Sequence, residues 1–169
     1  MRLVLLGYMG SGKSSIGKKL AKVMGLQFMD LDHYIEEKEQ ASISQIFKDK
    51  GEIYFRSSEH LRLKEILATE DNMVLAVGGG TPCYAGNLDL INEKATSIYL
   101  KCSIAHLEKR LKRRKSKRPL IAAIDDDKLS EFIAKHLFER AAYYEQAQIT
   151  IDADQKRSTV VEEISSSMQ

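Results

Sequence analysis

"GYMGSGKSS" occupies Gly7 to Ser15, directly behind the apolar run "RLVLL" from Arg2 to Leu6. Its spacing, Gly7-x-x-x-x-Gly12-Lys13-Ser14, is a phosphate-binding loop pattern, and the flanks agree with it. Arg2 to Leu6 suits a buried strand. Ser14 to Met24 sets Ile16, Leu20, Val23 and Met24 on one helical face, closed by Gly25. Glycines let the backbone curl until successive N–H groups, from Gly10, Ser11, Gly12, Lys13, Ser14 and Ser15, face a common centre. Those groups and the helix N-terminus cradle phosphate oxygens. Lys13 brings a full positive charge toward the β- and γ-phosphates, and the Ser14 hydroxyl is a ligand for Mg²⁺.

The rest of the chain alternates strand and helix. Further strands are predicted at Leu26–Met29, Met73–Val77, Ser97–Leu100 and Gln148–Ile151. Helices are predicted at Ile35–Glu39, Ser44–Lys50 (stopped by Gly51), Ile53–Thr69, Ala105–Arg114, Leu129–Glu145 and Thr159–Ser166. Such alternation calls for an α/β fold, a parallel sheet with helices on both faces. Ligands bind such sheets beyond the carboxyl ends of the strands. The unusual loops all fall there: "GYMGSGKS" after the first strand, "DLD" after the second, "GGG" after the third.

The 169 residues favour one domain with a substantial core, and 43% hydrophobic with 30% charged residues is ordinary for a globular chain. Net charge is only +2, yet "KRLKRRKSKR" (Lys109 to Arg118) carries eight basic residues, so the remainder is acidic and any pull on anions is local. Cys83 and Cys102 form neither a disulfide framework nor a zinc spacing and read as small apolar residues in a reducing compartment. No run reaches the ~20 apolar residues of a membrane span. "LVLLGYMG" is too short and glycine-rich for a signal sequence. The expectation is a cytoplasmic protein.

A phosphate loop names a nucleotide, not a reaction. An Asn-Lys-x-Asp base-reading stretch is absent, as are the protein-kinase motifs, so a small-molecule phosphotransferase fits best. The acceptor must be read from the other loops. Asp30 and Asp32 stand at a strand end; one can hold the metal and the other can take or orient the acceptor's proton. Helix capping by Asp32 is the structural alternative.

At ~100° per residue, Arg56 falls between Leu63 and Leu67, and Arg140 falls within the stripe Leu129, Ile133, Leu137 and Tyr144. Arginines aimed inward need a partner. For Arg56 that can be Glu59, three residues on. For the pair it can be a ligand carboxylate, which the planar guanidinium grips bidentately. Gly78, Gly79 and Gly80 allow close backbone approach to such a ligand. "RPLI" (Arg118 to Ile121) ends the basic stretch and suits a mobile cover that excludes water and brings Arg118 to the phosphates.

In order along the chain, "GYMGSGKSS", "DLDHYIE", "SISQIFKDKGEIYFRSSE", "GGGTP", "RPLI" and "ERAAYYEQA" resemble shikimate kinases over nearly the whole length. The resemblance implies a nucleoside-monophosphate-kinase-like three-layer fold, with a five-stranded parallel sheet in the order 2-3-1-4-5. It implies a single domain over residues 1–169, with a substrate-binding region about 32–61 and a lid about 111–126. The implied reaction moves the ATP γ-phosphoryl group to the 3-hydroxyl of shikimate, with Mg²⁺, in aromatic amino-acid biosynthesis.

By matched position, Asp32 meets the ring hydroxyls, Arg56 and Arg140 grip the carboxylate, and Gly79 and Gly80 touch the substrate. Asp30 stands on the metal side, Arg118 is the lid arginine, and Arg110 stacks on adenine. Ser15 departs from the threonine common in the family. Shikimate and ATP are then the partners, with no nucleic acid or membrane, and a monomer is expected. Another small-molecule kinase of similar fold, such as a gluconate or nucleoside-monophosphate kinase, is the alternative, since gluconate also carries a carboxylate. A nucleotide-dependent binding protein using Lys109–Arg118 is a second one.

Overall fold

A computed structural model describes all 169 residues. Five strands form one all-parallel sheet in the order β2-β3-β1-β4-β5. They are β1 (Arg2–Leu6), β2 (Gln27–Asp30), β3 (Met73–Ala76), β4 (Thr96–Lys101) and β5 (Ile149–Asp152). The central strands are covered on both faces and are apolar without alternation: Leu3 to Leu6 and Met73 to Leu75 are wholly buried. At the edge, β5 alternates between inward and solvent-facing residues, with Ile151 buried and Thr150 exposed.

The helices are α1 (Lys13–Met24), α2 (Leu31–Glu39), α3 (Ile43–Thr69), α4 (Asn87–Lys94), α5 (Ile104–Lys112), α6 (Pro119–Ala122), α7 (Asp126–Tyr144) and α8 (Arg157–Ser167). They complete the three-layer arrangement: α1 and α8 pack together beside the sheet, as do α3 and α4, with α4 against β4. One core unites the layers, from Ile16 and Leu20 of α1 through the strands to Leu63 and Leu67 of α3 and Ile133 of α7.

Local signals decide most boundaries. α3 is broken at Gly51, whose φ of 83° and ψ of 174° no side-chain-bearing residue adopts without strain, so the expected stop falls where glycine put it. Ser42 caps α3 through Gln45 N–H, and Ser103 caps α5 through His106 N–H. α7 begins at Asp126, three residues before the predicted start, because Asp126 and Asp127 favour the positive end of the helix dipole. α5 ends at Lys112, short of the predicted Arg114, where the chain tightens into a 3₁₀ turn at Lys115–Lys117 and then α6. The sequence reading has no counterpart for α4 or α6. Neither carries a side-chain cap, and α4 starts from Gly86 in a left-handed conformation.

Candidate active site

The carboxyl ends of β1, β2 and β3 gather the three loops singled out in the sequence. After β1 the chain turns through Gly10 (φ 84°) and Gly12 (φ 97°), both in the left-handed region, and Gly12 stands immediately ahead of α1. The first N–H groups of α1 have no partner within the helix and face outward along its dipole. Lys13 Nζ donates to the carbonyls of Gly7 (2.7 Å) and Tyr8 (3.1 Å), so its ammonium is held over the loop. Burial pulls its pKa down to about 8, opposed by Asp32 and Asp30 and reinforced by Arg118 and Arg140. Ser15 Oγ closes on the Gly12 carbonyl at 3.1 Å. Arg110, on α5, donates to the carbonyls of Gly10 (3.1 Å) and Ser11 (3.0 Å), bracing the loop from outside.

At the end of β2 the two aspartates divide their work. Oδ1 of Asp30 accepts from Asp32 N–H (3.1 Å) and His33 N–H (3.4 Å), which makes Asp30, not Asp32, the cap of α2. Its other oxygen, Oδ2, accepts from the Ser14 hydroxyl at 2.8 Å. A hydroxyl and a carboxylate oxygen side by side, next to a phosphate loop, are the hard oxygen donors that Mg²⁺ takes while keeping most of its water. The residues therefore fit the ion.

Relieved of capping, Asp32 lies beside the third loop: a methyl group built on Gly78 would be 3.3 Å from its Oδ1. Burial raises its carboxyl to about 6, with Asp30 and Glu59 adding to the rise and Lys13 opposing it.

The third loop brings two arginines together. A methyl group on Gly79 would come within 3.1 Å of Nη1 of Arg140, and one on Gly80 within 2.8 Å of Nη2 of Arg56. Two guanidinium groups, one from α3 and one from α7, thus close on consecutive glycines, and the absence of side chains there makes room for both. Each is half-buried, as its position among core leucines and isoleucines demands.

Arg56 Nη1 donates to Glu59 Oε1 at 2.8 Å. Glu59 is 1% exposed and accepts from the Thr81 hydroxyl at 2.7 Å on its other oxygen. The Arg56 guanidinium also lies 4.0 Å over the ring of Tyr84. The Tyr144 hydroxyl donates to the Gly79 carbonyl, beside Arg140. With Glu59 neutralising Arg56, Arg140 forms no ion pair with a carboxylate of the chain and supplies net positive charge to the pocket.

Arg118 precedes α6, is half-buried, and lies close enough to lower the Lys13 pKa; its own pKa is lowered by burial and by Arg114. Sequence reasoning missed Thr81, Tyr84 and Tyr144. In the sequence Thr81 is marked only as part of "GGGTP", and Tyr144 only as a member of the inward stripe of α7. It also missed the link from Tyr8, 1% exposed in the phosphate loop, whose hydroxyl meets His136 Nδ1 at 2.9 Å on α7, one turn before Arg140. No helix is long and apolar enough to cross a membrane.

This geometry has close relatives. A family model described as shikimate kinase matches residues 9–169. The shikimate kinase of Flavobacterium johnsoniae is 49% identical over 156 residues, 92% of this chain and 91% of that one. The crystal structure of shikimate kinase from Bacteroides thetaiotaomicron superposes with a TM-score of 0.94 at 34% identity, covering 99% of this chain and 98% of that one. That of the Acinetobacter baumannii enzyme in complex with shikimate gives a TM-score of 0.89 at 31% identity, covering 99% and 92%.

Proposed function

The chain belongs to the shikimate kinase family, and from that premise we propose how its residues carry out the ATP-dependent phosphorylation of shikimate. The observation that carries the assignment of roles is the convergence of Arg56 and Arg140 on Gly79 and Gly80, within reach of Asp32. A cyclic acid laid across these glycines has its carboxylate between two guanidinium groups and its ring hydroxyls toward Asp32. The product is 3-phosphoshikimate, with ADP.

Asp32 aligns the 3-hydroxyl and receives its proton as the oxygen attacks phosphorus. A carboxyl raised to about 6 is still ionised at neutral pH and is a better proton acceptor than an ordinary aspartate. Lys13 and the N–H groups of Gly10 to Ser15 hold the phosphates. Arg118 meets the charge that spreads over the transferring group's oxygens. Arg110 contacts adenine while bracing the loop. Residues 111–126 close as a lid, and residues 32–61 form the acceptor-binding region. Closure keeps water from competing as acceptor. Ser14 and Asp30 would hold Mg²⁺, which when bound neutralises phosphate charge. The working form is a cytoplasmic monomer without nucleic-acid partners.

A coupled assay of ADP release tests the reading, with shikimate, gluconate and nucleoside monophosphates as acceptors. Shikimate should give turnover far above the ATPase background, and the others none. Equal or faster turnover of gluconate would overturn the assignment of the acceptor.

A further inference from the structure

Behind the phosphate loop, on the side away from the acceptor, three side chains from different elements meet. Cys102 follows β4, His106 lies in the first turn of α5, and Asp154 follows β5. One ligand atom from each lies within 4.8 Å of the other two. The strand ends are adjacent because β4 and β5 pair in register up to Lys101 and Asp152. We propose that Cys102, His106 and Asp154 form a binding site for a thiophilic divalent cation of the zinc class.

The donor set is the first ground. A thiolate, an imidazole and a carboxylate are the ligands zinc takes, whereas Mg²⁺ prefers oxygen alone. Tetrahedral zinc with these ligands sets donor atoms about 3.3–3.8 Å apart, so small side-chain rotations close the cluster. Three protein ligands leave a fourth position for water.

The bonding of the three residues is the second ground. His106 Nε2 is buried and has no hydrogen-bond partner. A buried polar atom left unpaired is costly, and since Nδ1 has no hydrogen-bond partner either, the imidazole keeps both nitrogens free of protein partners. Cys102 Sγ has only a long contact, 3.9 Å to the Ser11 carbonyl. Asp154, by contrast, is already oriented: its Oδ1 accepts from Ser103 N–H at 2.9 Å, and its own N–H donates to Asp152 Oδ1 at 2.9 Å. Such outer support for a ligating carboxylate is usual in metal sites. His106 Nδ1 is 3.8 Å from Asp154 Oδ1, too long for a hydrogen bond.

Access is the third ground. A cavity of about 360 Å³ opens onto Cys102 and Asp154. On binding, the Cys102 thiol gives its proton to solvent and the sulfur lone pair goes to the metal. The ion would tie together the ends of β4 and β5 and the start of α5. Arg110, which braces the phosphate loop, stands one helical turn beyond His106.

Titrating the full chain with Co²⁺ tests the site, because a cobalt–thiolate bond has a charge-transfer band in the near ultraviolet that oxygen ligands do not produce. The expected results are a saturable band with one equivalent, its displacement by Zn²⁺, its loss in Cys102→Ala and its persistence in Cys83→Ala. Asp154→Asn, on an exposed loop, keeps the fold and should weaken cobalt binding by about 10-fold or more. Absence of the band in the wild-type chain overturns the proposal. So does its survival in Cys102→Ala, or an unchanged affinity in Asp154→Asn.

Discussion

Replacing Asp32 by Asn should make the ligand-free enzyme more stable and nearly inactive. The side chain is largely, but not wholly, held away from water beside Asp30 and Glu59, and its carboxyl rises from the ordinary 3.8 to about 6. The folded state therefore resists the charged form. At 1.36 kcal/mol for each tenfold change in proton affinity, the penalty at neutral pH is at most about 3 kcal/mol. Partial contact with solvent screens it, and about 1–2 kcal/mol is the expected gain for the neutral isostere. For a chain of this length that raises Tm by about 2–8 °C.

The sign follows from linkage. A folded-state pKa above the unfolded one means the folded chain binds the extra proton between about 4 and 6, so Asp32 costs stability as pH rises through that window. The advantage of Asp32→Asn should be full above about pH 7 and fade toward about pH 4. Thermal unfolding of both proteins across that range, without ligands, measures it. Turnover should fall about 10²–10⁴-fold, the scale of a lost general base. A variant less stable than wild type at neutral pH, or a difference that does not change with pH, would show that the fold does not disfavour the charged Asp32.

Other expectations follow from the same geometry. Gly80→Ala places a methyl group 2.8 Å from Arg56 Nη2 in a backbone conformation that alanine accepts, so KM for shikimate should rise while KM for ATP holds in steady-state kinetics. Glu59→Ala leaves Arg56 without its buried partner and Thr81 without its acceptor; a loss of about 3–5 kcal/mol is expected in denaturant unfolding. The pH profile of kcat/KM for ATP should show an acid limb near 6 from Asp32 and a basic limb near 8 from Lys13, which burial depresses. Bound phosphates stabilise the Lys13 ammonium, so the basic limb should recede in kcat at saturating ATP. Ser14→Ala should raise the Mg²⁺ concentration needed for half-maximal rate, and chelation of the ion should abolish turnover of the wild-type enzyme.

Much of this was legible in the sequence because it lay in short-range pattern. Gly7 to Ser14 specifies its own turn, the buried runs at Arg2 and Met73 specify central strands, and Gly51 marks the break in α3 by its lack of a side chain. Helical periodicity placed Arg56 and Arg140 among core residues, and the fold brings both to the glycine loop. What stayed hidden depends on chain segments far apart in sequence. The two-residue spacing of Asp30 and Asp32 does not say which one caps α2; the Ser14 hydroxyl and two N–H groups decide it. The Tyr8–His136 bond joins the phosphate loop to α7 across 128 residues, and neither residue holds a fixed position in a motif. α4 escaped because its start is a glycine without a capping side chain.

If the Arg56 and Arg140 guanidinium groups hold the acceptor's carboxylate, shikimate affinity depends on both. Calorimetric titration of shikimate into wild type, Arg56→Ala and Arg140→Ala, each with a nucleotide titration as control, measures that dependence. Losing charge-assisted contacts costs about 3 kcal/mol, so each variant should bind shikimate at least about 100-fold more weakly while nucleotide affinity stays the same. Shikimate affinity unchanged in Arg140→Ala, with the fold intact, would mean that the carboxylate is held elsewhere.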